Sequence, residues 1–138
     1  MYFGGRGVPQ DYKQGAKWFT KAAEQGDDGA QSLLGNLYAR GQGVVQDHKQ
    51  AFNWYMKAAE QGNATAQSIV GNLYAQGQSV LQDYGRAHIW FNLATANGHE
   101  RGSENRDNVA EKMTSDQIAE AQKMAREMVE ANPKLMGE

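Results

Sequence analysis

The sequence predicts an all-α fold, a superhelical solenoid of antiparallel helix pairs that ends in a C-terminal capping helix. Tryptophan recurs at positions 18, 54 and 90, so the interval is 36 residues both times. Residues 11–43 and 47–79 are identical at 20 of 33 aligned positions. Most of the 16 glycines fall on the same period. Self-similarity at roughly 20–50 residues is typical of solenoids, in which neighbouring units share one continuous core.

A first type of helix is predicted over about 28–40 and again over about 63–76. Its apolar residues follow the i, i+3, i+4, i+7, i+8 spacing of one helical face. They are Ala30, Leu33, Leu34, Leu37 and Tyr38, and then Ala66, Ile69, Val70, Leu73 and Tyr74. Gly35 and Gly71 lie within this stripe. Since glycine costs a helix about 0.5–1 kcal/mol relative to alanine, we expect an aromatic side chain of a neighbouring helix to rest on each bare backbone.

A second type of helix alternates with the first. We expect it to begin at Asp11, Asp47 and Asp83, because aspartate is a good N-cap and suits the positive end of the helix dipole. Its predicted inner face combines aromatic residues, which fill the space between layers, with alanines. Glycines end both helix types. They are Gly26, Gly62 and Gly98 after the second type, and Gly41 and Gly77 as left-handed C-caps of the first.

The two ends of the chain depart from the repeat. Residues 1–98 are predicted to be repeats, the first of them incomplete because Met1-Tyr2 aligns with Leu37-Tyr38, and residues 1–8 are expected to be poorly anchored. Residues 99–138 are predicted to form a divergent last helix pair that caps the stack.

Within that predicted cap, a helix is expected over about 100–112. A last helix is expected to start at Thr114 or Ser115 and to end before Pro133. The residues after it, 134–138, are expected to fray.

The repeated motif resembles the Sel1-like repeat, a relative of the tetratricopeptide repeat. It reads Ala30-x3-Leu34-Gly35-x2-Tyr38-x2-Gly41-x-Gly43-Val44, then Asp47-x3-Ala51-x2-Trp54-Tyr55-x-Lys57-Ala58-Ala59-Glu60-x-Gly62. The resemblance covers nearly the whole chain and implies a bacterial adaptor or scaffold that holds protein partners without catalysis. Three positions depart from the pattern: Gly15 replaces an alanine, Ser79 replaces a glycine, and His88 occupies a usually apolar position.

Composition narrows the classes of function. The net charge of −2 gives no basic footprint for nucleic acid, and no apolar run approaches the roughly 20 residues that span a membrane. The absence of cysteine leaves the compartment open, so a periplasmic or secreted protein and a cytoplasmic one both remain. We expect no metal site and no cofactor, because His48, His88 and His99 lack metal-ligand spacing. An enzyme is expected only if the fold brings a pKa-shifted cluster into a cleft.

The predicted binding residues form a polar stripe on the first-type helices, opposite Leu34 and Tyr38. The stripe is Ser32, Asn36 and Arg40, then Ser68, Asn72 and Gln76, then Glu104, Asn108 and Lys112. The resemblance to tetratricopeptide stacks implies that these helices line a concave groove. An asparagine side chain can both donate to and accept from a peptide backbone, so the stripe is predicted to hold a peptide or protein segment. The alternative is a merely solvated helix face.

A second hypothesis is self-association. The N-terminal end is expected to expose the face around Tyr12, Trp18 and Phe19. An exposed apolar patch of this kind can pair with a second copy of the same chain, which gives a homodimer.

Overall fold

The computed structural model describes residues 9–137, and the prediction for residues 1–8 lies outside them. Within that range the protein is all-helical, with no strand. The α-helices are α1 (Pro9–Glu24), α2 (Asp28–Arg40), α3 (His48–Glu60), α4 (Ala64–Gln76), α5 (Tyr84–Ala96), α6 (Gly102–Ala110) and α7 (Ser115–Ala131), followed by a short 3-10 helix, Pro133–Met136. The solenoid class of helix pairs predicted from the sequence is therefore confirmed.

The helices group into two compact units, Met1–Ala58 and Ala59–Glu138. In the first unit α1 packs against α2, and buried alanines with Leu34 and Leu37 form the core. In the second unit α5 is central and packs against α4, α6 and α7. None of the described helices is both long enough and apolar enough to cross a membrane.

Helix ends follow the predicted chemistry at most positions. The Asp83 carboxylate accepts from the Arg86 amide at 3.0 Å and caps α5, and Asp47 accepts from the Gln50 amide at 3.1 Å. Gly41 and Gly77 are left-handed C-caps with φ of 68° and 69°.

Asp11 departs from the cap prediction, because α1 already begins at Pro9 and Asp11 lies in its first turn. At the other end of the chain, Thr114 forms a capping box with Gln117 and starts α7.

The aromatic-on-glycine contact is confirmed in both units. A Cβ placed on Gly35 would lie 2.7 Å from ring atoms of Tyr55, and one on Gly71 would lie 2.7 Å from ring atoms of Phe91. Such distances are shorter than any real Cβ contact, so only glycine lets these rings rest on the helix backbone. The missing side chain sets the spacing of α2 from Tyr55 and of α4 from Phe91.

The C-terminal segment departs from prediction. Instead of fraying, residues 133–136 form the 3-10 helix, and Leu135 is buried. Its carbonyl accepts from the side chains of Gln67 and Asn97, at 2.9 and 2.8 Å. These contacts could not be predicted from the residues around Leu135, because the hydrogen-bond partners of its carbonyl lie 68 and 38 residues away in the chain.

Candidate partner-binding surface

The predicted stripe on α2 is only partly accessible. Ser32 is buried at 7% exposure, Asn36 is half-buried and Arg40 is exposed. Leu33, which was assigned to the core stripe, is 45% exposed. Residues on a helix are ~100° apart, so Leu33, Asn36 and Arg40, at i, i+3 and i+7, share one face. The buried arc of α2 is rotated from the predicted one, and Leu33 joins the accessible face.

The same rotation recurs on α4. Ser68 is 4% exposed, whereas Asn72 and Gln76 are exposed and Ile69 is half-buried. The expectation that both serines lie on the accessible stripe is therefore wrong. A serine is small enough to fit between closely packed helices. The prediction placed both serines on the polar face because of their polarity and did not consider their size. The accessible arc carries an asparagine beside a branched apolar side chain in both units.

Asn36 is held in place by its own unit. The Tyr55 hydroxyl donates to Asn36 Oδ1 at 2.5 Å, and burial raises the pKa of that hydroxyl above its ordinary value while the charge of Arg40 partly opposes the rise. The bond occupies the Asn36 carbonyl and orients the carboxamide, whose NH2 group supplies two donors. At the equivalent position of the second unit Phe91 has no hydroxyl, and Asn72 has the exposed carboxamide.

The third set of predicted residues is less regular. Glu104 and Asn108 are exposed on α6, but α6 ends at Ala110, so Lys112 lies in the turn beyond the helix rather than on it. Its ammonium group sits 5.5 Å from the centroid of the Tyr84 ring, a cation–π distance. The predicted helix over 100–112 was too long because the chain turns ahead of the Thr114 cap.

The surface predicted to self-associate is exposed at Trp18 and half-buried at Tyr12 and Phe19. Trp18 is 59% exposed, while Tyr12 and Phe19 pack against the core of the first unit. Trp18 lines an open depression of ≈ 710 Å³ together with Lys13, Lys17 and others of the first unit. The surface around Trp18 is thus mixed, an indole beside ammonium groups, rather than a continuous apolar patch.

Titratable side chains of the described residues bear on catalytic and metal chemistry. Among the described residues no group of three or more His, Cys, Asp and Glu side chains could hold a metal ion. Burial lowers the pKa of His88. The charge of Arg106 lowers this pKa further, and the charge of Asp107 partly raises it.

Comparison with known proteins identifies the repeat. A family model described as Sel1 repeat matches residues 1–27, 29–63 and 64–99. A crystal structure of a protective antigen present in uropathogenic Escherichia coli strains, displaying an SLR fold, superposes with a TM-score of 0.85 and 36% identity, over 94% of this chain and 28% of that one. A Sel1 repeat protein from Oxalobacter formigenes gives a TM-score of 0.64 and 36% identity, over 66% and 37%.

The matched regions therefore cover well under half of either solved protein. None of the curated protein sequences matches it significantly.

Proposed function

This chain belongs to the Sel1 repeat family, whose members generally mediate protein–protein interaction, and from that premise we propose that it is a non-catalytic module that binds an extended segment of a partner protein. Each compact unit presents its own binding surface, the accessible arc of its first-type helix. The arc consists of Leu33, Asn36 and Arg40 in the first unit. It consists of Ile69, Asn72 and Gln76 in the second unit.

The observation that carries the proposal is the recurrence of an accessible asparagine beside an apolar side chain. Asparagine is a poor helix former, and a face that is merely solvated gains more from glutamate or lysine. A carboxamide pairs with the backbone of an extended segment, and the adjacent Leu33 or Ile69 offers apolar contact to its side chains. Ser32 and Ser68 are buried, at 7% and 4% exposure, and are left out of the proposed surface.

The test is a binding measurement with defined peptides. Peptides selected from a random display library against the intact chain supply the probes, and fluorescence anisotropy gives their Kd. The double variant Asn36→Ala, Asn72→Ala is expected to weaken binding by either unit about fivefold, because the amide hydrogen bond that each unit loses is worth about 1 kcal/mol. Unchanged binding with helicity retained would contradict the proposal.

Two controls separate contact from folding. Asn53→Ala removes an exposed asparagine from α3, a second-type helix, and is expected to leave Kd unchanged. Asn36→Ala orphans the Tyr55 hydroxyl, so it is repeated with Tyr55→Phe, the residue type that the second unit carries at position 91. Equal losses in both backgrounds assign the effect to Asn36 itself.

Self-association is the second candidate, supported by the exposure of Trp18. Under this alternative, light scattering on the intact chain detects a dimer that Trp18→Lys converts to a monomer. A monomer at high concentration in the unsubstituted chain excludes it.

A further inference from the structure

The C-terminal segment, residues 132–137, lies in a slot on the surface of the second unit. The slot is formed by the turn at Gly62, by Gln67 of α4 and by Asn97 at the end of α5. Gln67 is fully buried, and its Nε2 donates both to the Ala59 carbonyl at 3.0 Å and to the Leu135 carbonyl at 2.9 Å. The Gln67 carboxamide therefore links the Ala59 carbonyl of α3 to the Leu135 carbonyl of the C-terminal segment.

Asn97 also contacts the segment. Its Nδ2 donates to the Leu135 carbonyl at 2.8 Å and to Gln67 Oε1 at 2.9 Å. At the entrance of the segment, Asn132 Nδ2 donates to the carbonyl of Glu60 at 3.0 Å. The slot thus binds the segment through the Leu135 carbonyl and the Asn132 side chain, and the Leu135 side chain, 3% exposed, is its apolar anchor.

The equivalent turns of the other repeats provide an internal comparison. Gly26, Gly62 and Gly98 have nearly the same backbone, with φ of 96°, 93° and 91°. A Cβ on Gly26 or Gly98 would meet nothing within 4 Å, whereas one on Gly62 would overlap the backbone nitrogen and Cα of Gly137. The same turn is therefore open in two copies and filled by the segment in the third.

We propose that this slot is a peptide-recognition site whose occupant is the chain's own C-terminal segment, residues 132–137, held as a releasable self-ligand rather than as a fixed part of the core. Three features support release as a unit. The segment buries one side chain, while Pro133, Lys134, Met136 and Gly137 stay exposed. It joins α7 through the single residue Asn132, which lies outside both helices. The hydrogen bonds between the segment and the slot join amide side chains to backbone carbonyls. They can therefore form and break without the burial of a charged group.

The ligand class follows from these contacts. The slot takes a tight turn with an asparagine three residues before a leucine and a glycine two residues after it. This surface differs from the accessible arcs of α2 and α4, and the two proposals stand or fall separately.

The test empties the slot in the full chain and refills it with a peptide. In Leu135→Ser the anchor is lost while Gly62, Gln67 and Asn97 remain. A fluorescent peptide with the sequence of residues 132–138 is expected to bind this variant saturably. The unsubstituted chain is expected to bind it at least tenfold more weakly, because a tethered occupant has an effective concentration of order mM.

The glycine pair supplies the matched control. Adding Gly62→Ala to Leu135→Ser is expected to abolish peptide binding, whereas adding Gly26→Ala, which carries the same backbone strain at an open turn, is expected to leave it intact. Failure of the Leu135→Ser chain to bind at ~1 mM peptide with helicity retained overturns the proposal. Equal binding by the unsubstituted chain, or by the Gly62→Ala double variant, overturns it as well.

A second measurement needs no substitution and stands if Leu135→Ser loses helicity. The amides of Leu135 and Gly137 are hydrogen-bonded to Asn132 and Lys134, at 3.1 and 2.8 Å. If the segment is released as a unit, native-state hydrogen exchange of these amides is faster than that of buried α5 amides such as Leu93. Exchange at the α5 rate means that the segment leaves only on global unfolding, and the proposal is then wrong.

Discussion

His88 lies in α5 with 3% of its surface exposed, and its Nδ1 atom has no hydrogen-bond partner among the described residues. A buried polar atom without a partner costs about 1–3 kcal/mol. Burial lowers the pKa of the imidazole, the nearby Arg106 lowers it further, and Asp107 raises it in part. The neutral imidazole is thus the form that the fold accepts, at a position where the repeat pattern otherwise carries an apolar residue.

Acid is expected to weaken the fold through His88. Because its pKa is lower in the folded than in the unfolded state, its contribution is intact above the unfolded value of about 6.5 and is lost as the pH falls through the folded value. His88→Leu is expected to raise the free energy of unfolding by about 1 kcal/mol at pH 7.5, and by more at pH 5. Urea denaturation at the two pH values measures both differences.

His48→Gln is the control for that experiment, because His48 is exposed at the start of α3. It is expected to keep the acid sensitivity of the unsubstituted chain. If the His88→Leu variant is as sensitive to acid as the unsubstituted chain, the buried imidazole is not the source of that sensitivity.

At the residue scale, the sequence predicted which positions have special roles better than it predicted which side chains are buried. The unusual position of His88 and the aromatic contacts of Gly35 and Gly71 were visible in the repeat pattern. The burial of Ser32 and the exposure of Leu33 were not. Helical periodicity locates the centre of a buried arc, but its width depends on every neighbouring helix, which a single stripe does not encode.

At the scale of elements, the contact of Tyr55 with Gly35 sets the spacing of the helices that carry them. The ring covers the helix backbone where a Cβ would stand. This close approach accounts for the recurrence of a residue that weakens helices, and it also places the hydroxyl against Asn36. The packing of a core glycine therefore positions a candidate binding residue.

Two glycines of α2 are expected to respond oppositely to alanine. Gly35→Ala forces the Tyr55 ring to move and is expected to destabilise the protein by about 1–3 kcal/mol, as overpacking does. Gly29→Ala gains helix propensity, and its Cβ would lie at an ordinary 3.4 Å from Asp27 Oδ1, so a neutral to slightly stabilising effect is expected. Thermal denaturation followed by circular dichroism compares them, and equal effects would refute the packing role of Gly35.

Element boundaries followed local chemistry wherever the cap and the helix were neighbours in sequence. Asp47, Asp83 and Thr114 cap as predicted because each bonds amides two or three residues ahead. The C-terminal segment was mispredicted because its contacts reach Gln67 and Asn97, far back along the chain. Leu135, the one leucine after Pro133, has no neighbours in the sequence that indicate a contact with Gln67 or Asn97.

At the scale of the whole molecule, the 36-residue period decides how stability is distributed. In a solenoid each repeat contacts only its neighbours, and stability is approximately a sum of repeat and interface contributions. The period places an aromatic-on-glycine pair in each compact unit, Gly35 with Tyr55 and Gly71 with Phe91. Damage to one pair is therefore expected to remain largely local.

Hydrogen exchange on two matched variants tests this. Gly71→Ala displaces the Phe91 ring and is expected to speed the exchange of amides in α4 and α5 by about tenfold or more, since overpacking costs about 1–3 kcal/mol. The amides of α1 and α2 are expected to change much less, and Gly35→Ala should give the reciprocal pattern. A uniform increase from either variant would mean that the chain opens only as one cooperative block. The repeats would then not act as separable units of stability, despite a sequence that repeats them so closely.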